Sequence, residues 1–219
     1  MAAERIVWID CEMTGLDLDV DELVEVAVII TDFDLNPLDD GIDIVIRPSE
    51  RALENMGDFV TKMHTTSGLI TELDGGTTVE DAQAQVLAYI RTHVPTAGKA
   101  PLGGNSVGTD KAFLVKQMPE VVDHLHYRIL DVSSIKELAR RWHPRAYFQS
   151  PEKTGGHRAL GDIQDSIREL AYYRRAVFRE KEPTSAEARA IAAEVVAAYA
   201  PDTGDAGNPG DTGDAAEKD

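Results

Sequence analysis

One cysteine, Cys11, stands in 219 residues, so no disulfide can form within the chain and a disulfide scaffold is excluded. No apolar run approaches the length of a membrane span, and Met-Ala-Ala-Glu-Arg does not read as a signal peptide, so the expected location is the cytoplasm. Positive charge is scarce: 22 Lys+Arg stand against 39 Asp+Glu, a net charge of −17. Pro201 to Asp219 holds six acids and one lysine, which is −5 of the −17 and leaves −12 on the rest. Affinity for long duplex comes mainly from cationic neutralisation of phosphates, so such a ligand is disfavoured. A nucleic-acid ligand would have to be short or held by metal ions and a few local contacts. Several motifs are incomplete. Gly98-Lys99 lacks the upstream Gly and following Ser/Thr of a phosphate loop. Asp17-x-Asp19-x-Asp21 has Glu22 where an EF-hand needs Gly, and His124-x-His126 has no partners for zinc. There is no G-x-S-x-G and no internal repeat of structural length.

What is present begins at Ile6-Val7-Trp8-Ile9-Asp10-Cys11-Glu12. The β-branched and aromatic run predicts a strand over 5–13, and strand alternation puts Asp10 and Glu12 on one face with Cys11 on the other. Two buried carboxylates two residues apart repel and lose solvation together, unless a cation sits between them. Oxygen ligands suit a hard ion such as Mg²⁺ or Mn²⁺. The plain alternative is that the strand has reached solvent at Asp10.

Leu23 to Thr31 and Ile42 to Arg47 read as strands two and three, joined by turn-rich segments into an antiparallel meander. Thr78 opens a helix of about four turns, stopped by Pro95. A short strand over Ala100 to Asn105, a helix over Asp110 to Met118, a strand over Tyr127 to Asp131 and a helix over Ser133 to Trp142 follow. A long helix runs from about Ala159 to Arg179 after the Gly155-Gly156 turn. The order βββαβαβαα implies an α/β domain whose sheet is antiparallel at one side and parallel at the other. Residues 1–180 form the expected domain, 181–200 hold one further helix, and the acidic stretch 201–219 is expected to be disordered.

Asp110, at the start of its helix, reads alone as an N-terminal acid favoured by the helix dipole. His157 and Asp162 are five apart and so do not share a helical face; the His falls on the glycine loop and the Asp in the first turns of the helix.

Taken in order, WIDCEMTGL, GNSVGTD and GGHRALGD resemble the three signatures of DEDD-type 3′→5′ exonucleases, in the branch with H-x-A-x-x-D. HYRILDVSSIKELARRW and ELAYYR narrow the resemblance to the oligoribonuclease family, over about Ile6 to Phe178. The resemblance implies a ribonuclease H-like exonuclease fold, a mixed sheet of about five strands flanked by helices. It implies that Asp10, Glu12, Asp110 and Asp162 bind two ions, Mg²⁺ or Mn²⁺, with Asp10 between them, and that His157 is the general base. Four carboxylates and two divalent ions come close to neutrality, which makes the set physically coherent.

By the same resemblance, Leu16 wedges between two bases and Phe59 stacks under the terminal base. Many family members have Trp there, so Phe59 implies weaker stacking. His64, Ser106, Arg128 and Ser133 would cap the substrate's 5′ phosphate, with Tyr127 reaching in from a second subunit, hence a homodimer. The residue-level alternatives are that Leu16 and Phe59 are core residues and that Arg128 pairs with Asp131 or Glu137. The implied function is a 3′→5′ exoribonuclease for very short RNA, dinucleotides above all and linear signalling dinucleotides with them. Against it stand a related exonuclease on longer DNA or tRNA ends, which −17 disfavours, and a catalytically dead nucleotide-binding module, which the five filled positions disfavour.

Overall fold

The computed structural model describes residues 4–154 and 156–199. Its centre is β1 (Ile6–Met13), paired antiparallel with β2 (Leu23–Thr31), which pairs antiparallel with β3 (Ile42–Val45). Two short helices follow, α1 (Glu50–Asn55) and α2 (Asp58–Ser67), then single 3₁₀ turns at Leu69–Thr71 and Leu73–Gly75. Helix α3 (Val79–His93) begins at Thr78, whose side chain accepts from the Asp81 amide. Next come β4 (Pro101–Gly104), α4 (Gly108–Gln117), α5 (Pro119–His124), β5 (His126–Asp131), α6 (Val132–Trp142) and α7 (Pro144–Tyr147). Helix α8 (Ala159–Ala176) closes the compact unit Met1–Phe178. A second unit, Arg179–Asp219, contains α9 (Ser185–Ala198), which opens with a capping box between Thr184 and Glu187. The acidic stretch 201–219 lies outside the described residues.

Five strands form one sheet in the order β3-β2-β1-β4-β5. The β1–β4 and β4–β5 pairs are parallel, so the sheet is antiparallel on one side and parallel on the other. The alternation of β1 sorts its residues between two cores. Val7, Ile9, Cys11 and Met13 pack with β2 and with Val86, Ile90, Phe113 and Leu114 of α3 and α4. Ile6 and Trp8 pack on the opposite face with Ile163 and Ile167 of α8. Gly103 is set by that second face, because a Cβ there would stand 2.9 Å from Ile6 Cγ2 and 3.1 Å from the Trp8 ring. The indole nitrogen of Trp8 donates to Thr31 Oγ1 at 2.9 Å, which settles the one polar group it buries.

One expected boundary shifts, and one segment holds elements that the sequence pattern does not announce. The third strand ends at Val45 and not at Arg47: Ile46 still donates to the Val24 carbonyl opposite it, but also bridges Thr77, and Arg47 donates to the Thr77 carbonyl. Between β3 and α3 lie α1 and α2, and α2 carries both Phe59 and His64.

Candidate active site

The carboxyl ends of the parallel strands β1, β4 and β5 point the same way, and the crevice beyond such ends is where open α/β sheets place ligands. Asp10 and Glu12 continue the Ile6–Trp8 face, so the face that is apolar over α8 turns acidic as β1 leaves the core. Cys11, between them, is buried in the opposite core. The β1–β4 pairing stops at Trp8 and Gly103, and the Cys11 amide beyond it donates to Asp110 Oδ1 at 3.0 Å. That bond draws the Asp110 carboxylate, from the first turn of α4, to the strand between Asp10 and Glu12. Asp162 sits in the first turn of α8. Carboxylate oxygens of Glu12 and Asp162 and a ring nitrogen of His157 lie within 4.8 Å of one another.

This gathering is electrostatically costly. The Asp10 carboxyl is pushed up to about 9, by burial first and then by the charges of Asp110, Asp162 and Glu12, with Lys153 pulling the other way. Glu12 is pushed up to about 8 by burial, then by Glu25, Asp162 and Asp110, with Arg158 opposing. Asp110 is pushed up to about 6, chiefly by burial, and its hydrogen bond from the Cys11 backbone works against that. Burial also raises Asp162, against the charges of Lys153 and His157. Four acids that repel, carry only oxygen donors and stand at a crevice fit divalent cations, whose charge would reverse every one of these shifts.

Backbone geometry marks two site residues. His157 and Ser106 have φ of +59° and +52°, a left-handed conformation that costs a non-glycine residue free energy and persists only where the surroundings hold it. His157 is exposed on the segment before α8 and its ring lies over the carboxylates. Ser106 follows β4, and its amide donates to Asp131 Oδ1 (2.9 Å) and Ser133 Oγ (2.8 Å). Ser106 Oγ and Ser133 Oγ are 3.1 Å apart.

The hydrogen-bond directions in this cluster can be worked out. The Asn105 amide nitrogen donates to Ser166 Oγ and to Glu169 Oε2, so its oxygen faces Ser133 and accepts the Ser133 hydroxyl proton at 3.1 Å. Glu169 is itself held by Lys136 at 2.9 Å. With its single proton committed to Asn105, Ser133 acts toward Ser106 as an acceptor. Ser106 is then the hydroxyl of the pair with a proton that can turn to an incoming anion.

The remaining sequence-expected residues fall in different places. Leu16 and Phe59 are 77% and 79% exposed, so neither is a core residue. Leu16 rides on a loop knitted by Asp21, which accepts from Thr14 Oγ1 and from the Asp17 amide, both at 2.8 Å. Gly15 is required there, since a Cβ would meet the Asp21 carboxylate at 2.3 Å. Tyr127 is exposed at the start of the edge strand β5, and the Arg128 guanidinium lies 5.4 Å from its ring centre. Asp131 is taken up by the Ser106 and Ser133 amides and Glu137 by Arg140 and Arg141, so neither pairing considered for Arg128 forms. His64 lies beside Glu12 on α2. It is fully buried, with Nε2 2.9 Å from the Met13 carbonyl and Nδ1 3.9 Å from Glu12 Oε2, behind the carboxylates.

Sequence reasoning passed over Glu25, Arg158 and Asn105, which brace the site. Glu25 had a signal: it is the one acid in the apolar run LVEVAVIIT, every residue of which is buried.

Comparison with known proteins identifies the family and the fold. The RNase T exonuclease family model matches residues 7–170. A curated oligoribonuclease of Streptomyces coelicolor is 66% identical over 88% of this chain and 97% of its own length, and one of Leifsonia xyli is 60% identical over 89% and 95%. This chain belongs to the oligoribonuclease family. Among solved structures, E. coli exonuclease I in complex with a dT13 oligonucleotide superposes with a TM-score of 0.62 at 13% identity, over 79% of this chain and 41% of that one. That likeness shows the fold, the ribonuclease H-like exonuclease fold, and the five-stranded mixed sheet is its core. Among the described residues no helix is long and apolar enough to cross a membrane.

Proposed function

We propose that the chain hydrolyses very short single-stranded RNA from the 3′ end, dinucleotides above all, and releases nucleoside 5′-monophosphates. Its class, a 3′→5′ exoribonuclease, follows from the oligoribonucleases it is similar to and from the exonuclease domain it contains. The observation that carries the reading is the convergence of Glu12, Asp162 and the His157 ring within 4.8 Å, beside Asp10 and Asp110.

Asp10, Glu12, Asp110 and Asp162 would hold two divalent ions, Mg²⁺ or Mn²⁺. When bound, these supply charge neutralisation at the scissile phosphate and a more acidic attacking water. The chain's own groups do the rest. His157, at the mouth of the acid cluster, accepts the water's proton, the work an imidazole does as a general base. Asp110, fixed by the Cys11 amide, and Asp162, fixed by α8, keep the acids from spreading apart.

Substrate is gripped at both ends. Phe59 and Leu16 offer exposed apolar faces to the bases, and an aromatic platform of this kind is worth about 1–3 kcal/mol per base. Ser106 donates to the terminal phosphate and Arg128 faces it with a planar, bidentate cation. His64, buried beside Glu12, would complete this polar set. A second copy of the chain would bring its tyrosine at position 127 to this site. Two features support such a homodimer: β5 is an edge strand, and an apolar groove of about 560 Å³ runs along it past Phe33, Ile129, Ile135 and Phe178. The cytoplasm, where short RNA accumulates and a lone thiol stays reduced, is the fitting compartment.

Length preference tests the reading. Digestion of RNA of about two, five and twenty nucleotides with Mg²⁺ should be fastest on the shortest, since both ends must be gripped at once. Equal rates on all three would refute the two-ended grip and favour an exonuclease of longer substrates.

A further inference from the structure

We propose that Arg158 is a positioning residue for hydrolysis: gripped by the buried carboxylate of Glu25, it fixes the His157 imidazole one residue before it and the Asp162 carboxylate four residues after it. The proposal rests on reading His157 as the general base.

Glu25 is 0% exposed and lies opposite Glu12 on the neighbouring strand. Side chains directly opposite in an antiparallel pair project on one face, so Glu25 stands beside a metal-binding position without being part of that set. Its two oxygens are both used, on consecutive residues. Oε1 accepts from Arg158 Nε at 2.8 Å and lies 2.6 Å from Nη2, while Oε2 accepts the Ala159 amide at 2.9 Å. This is a two-point hold on one dipeptide, and releasing it would strand a buried carboxylate.

The dipeptide sits at a decisive place. Arg158 is the N-cap residue of α8 and makes no side-chain cap of its own, so Glu25 supplies the cap from β2. The Arg158 carbonyl accepts the Asp162 amide at 3.0 Å, the hydrogen bond from which the Asp162 turn hangs. On the other side, His157 is held at φ +59°, a conformation it would leave if its C-terminal neighbour were free. Arg158 also reaches Glu72 through Nη1 at 2.9 Å, in the 3₁₀ segment after α2. Glu72 is half exposed, so this second contact is the lesser one. The planar fork of arginine meets both acids at once, which a lysine cannot do.

The test is steady-state turnover of a dinucleotide with Mg²⁺ by the full chain, its Arg158→Lys, Glu25→Gln, Glu72→Gln and His157→Ala variants, and the Arg158→Lys/His157→Ala pair, each first shown to be folded by thermal melting. Arg158→Lys should lower kcat about 10- to 100-fold with KM within about twofold, because displacement of a catalytic group by about 1 Å costs that much while the base and phosphate grips are untouched. Glu25→Gln should fall in the same direction and Glu72→Gln should stay near wild type. In the His157→Ala background the Arg158→Lys loss should shrink, since one of the two groups it positions is gone and only the Asp162 share remains. Wild-type kcat in folded Arg158→Lys overturns the proposal, and so does an undiminished loss in the His157→Ala background. If His157→Ala alone keeps wild-type turnover, the general-base reading falls. The clamp is then judged by hydrogen exchange at the His157 to Ala159 amides, where faster exchange in Arg158→Lys supports it and unchanged exchange overturns it. Should Glu25→Gln fail to fold, Arg158→Lys carries the test by itself.

Discussion

Glu12 and Glu25 face each other across the β1–β2 pair, both buried, and their surroundings are opposite in kind. Glu25 has a guanidinium on one oxygen and a backbone amide on the other. Glu12 has no such partners among the described residues. It has the Nδ1 of His64 at 3.9 Å, and three acids whose charges, after burial, push it up to about 8. A buried carboxylate that serves the fold is given its counter-charge by the chain. On the proposed reading, one that serves chemistry is left to obtain it from a bound cation, and the fold bears the cost until the cation arrives.

The contrast can be broken most directly by removing each acid. Glu12→Gln should abolish turnover, a loss of about a thousandfold or more, while leaving the metal-free chain as stable as wild type or more so. Glu25→Ala should instead destabilise the fold by about 3 kcal/mol, since it strands Arg158 and uncaps α8. Chemical denaturation of both variants without metal measures the difference. Loss of stability in Glu12→Gln would erase the distinction.

The pH dependence sharpens it. Burial first, and neighbouring acids after it, push the Asp10, Glu12 and Asp110 carboxyls up to about 9, 8 and 6 in the folded chain, from ordinary values of 3.8, 4.5 and 3.8. The folded state therefore binds more protons than the unfolded state across that window. The stabilising contribution is whole below the ordinary values and is lost as pH rises through about 6, 8 and 9. Metal-free wild type should lose melting temperature between pH 5 and 9 more steeply than Asp10→Asn, by a few degrees. Added Mg²⁺ should close the gap and release protons on binding. Parallel curves would mean the acids do not repel as described.

A smaller effect separates the two serines. Ser106→Ala should weaken binding of a 5′-phosphorylated dinucleotide roughly threefold to tenfold, the loss of one charge-assisted hydrogen bond. Ser133→Ala, whose proton belongs to Asn105, should cost less. The reverse order would contradict the hydrogen-bond directions. Smallest is Phe59→Trp, which enlarges an exposed stacking face and should tighten binding by well under about 1 kcal/mol; weaker binding would show that Phe59 does not stack.

Much of this was legible in the residues. β1 and β2 read almost to the residue, because β-branched runs with buried flanks leave few alternatives. The change from Trp8 to Asp10 and Glu12 on one face was a sequence-level sign of a site. Helix α2 was not legible: His64 is its one buried residue, so it has no apolar stripe to read. Helices α5 and α7 are short and begin with Pro119 and Pro144, a start signal that a breaker reading conceals. Asp110 and Asp162 could be named only through family resemblance, since spacing alone left each as an ordinary helix acid. The Glu25–Arg158 hold could not be read at all, because it joins positions 133 apart.

The central claim is that distant acids gather to hold ions at one scissile bond. The most direct test is the digestion of a labelled dinucleotide by wild type and Asp10→Asn with Mg²⁺, each repeated with EDTA. Wild type should release nucleoside 5′-monophosphates and stop on chelation, and Asp10→Asn should be inactive throughout. Turnover that survives EDTA, or an active Asp10→Asn, would contradict the account.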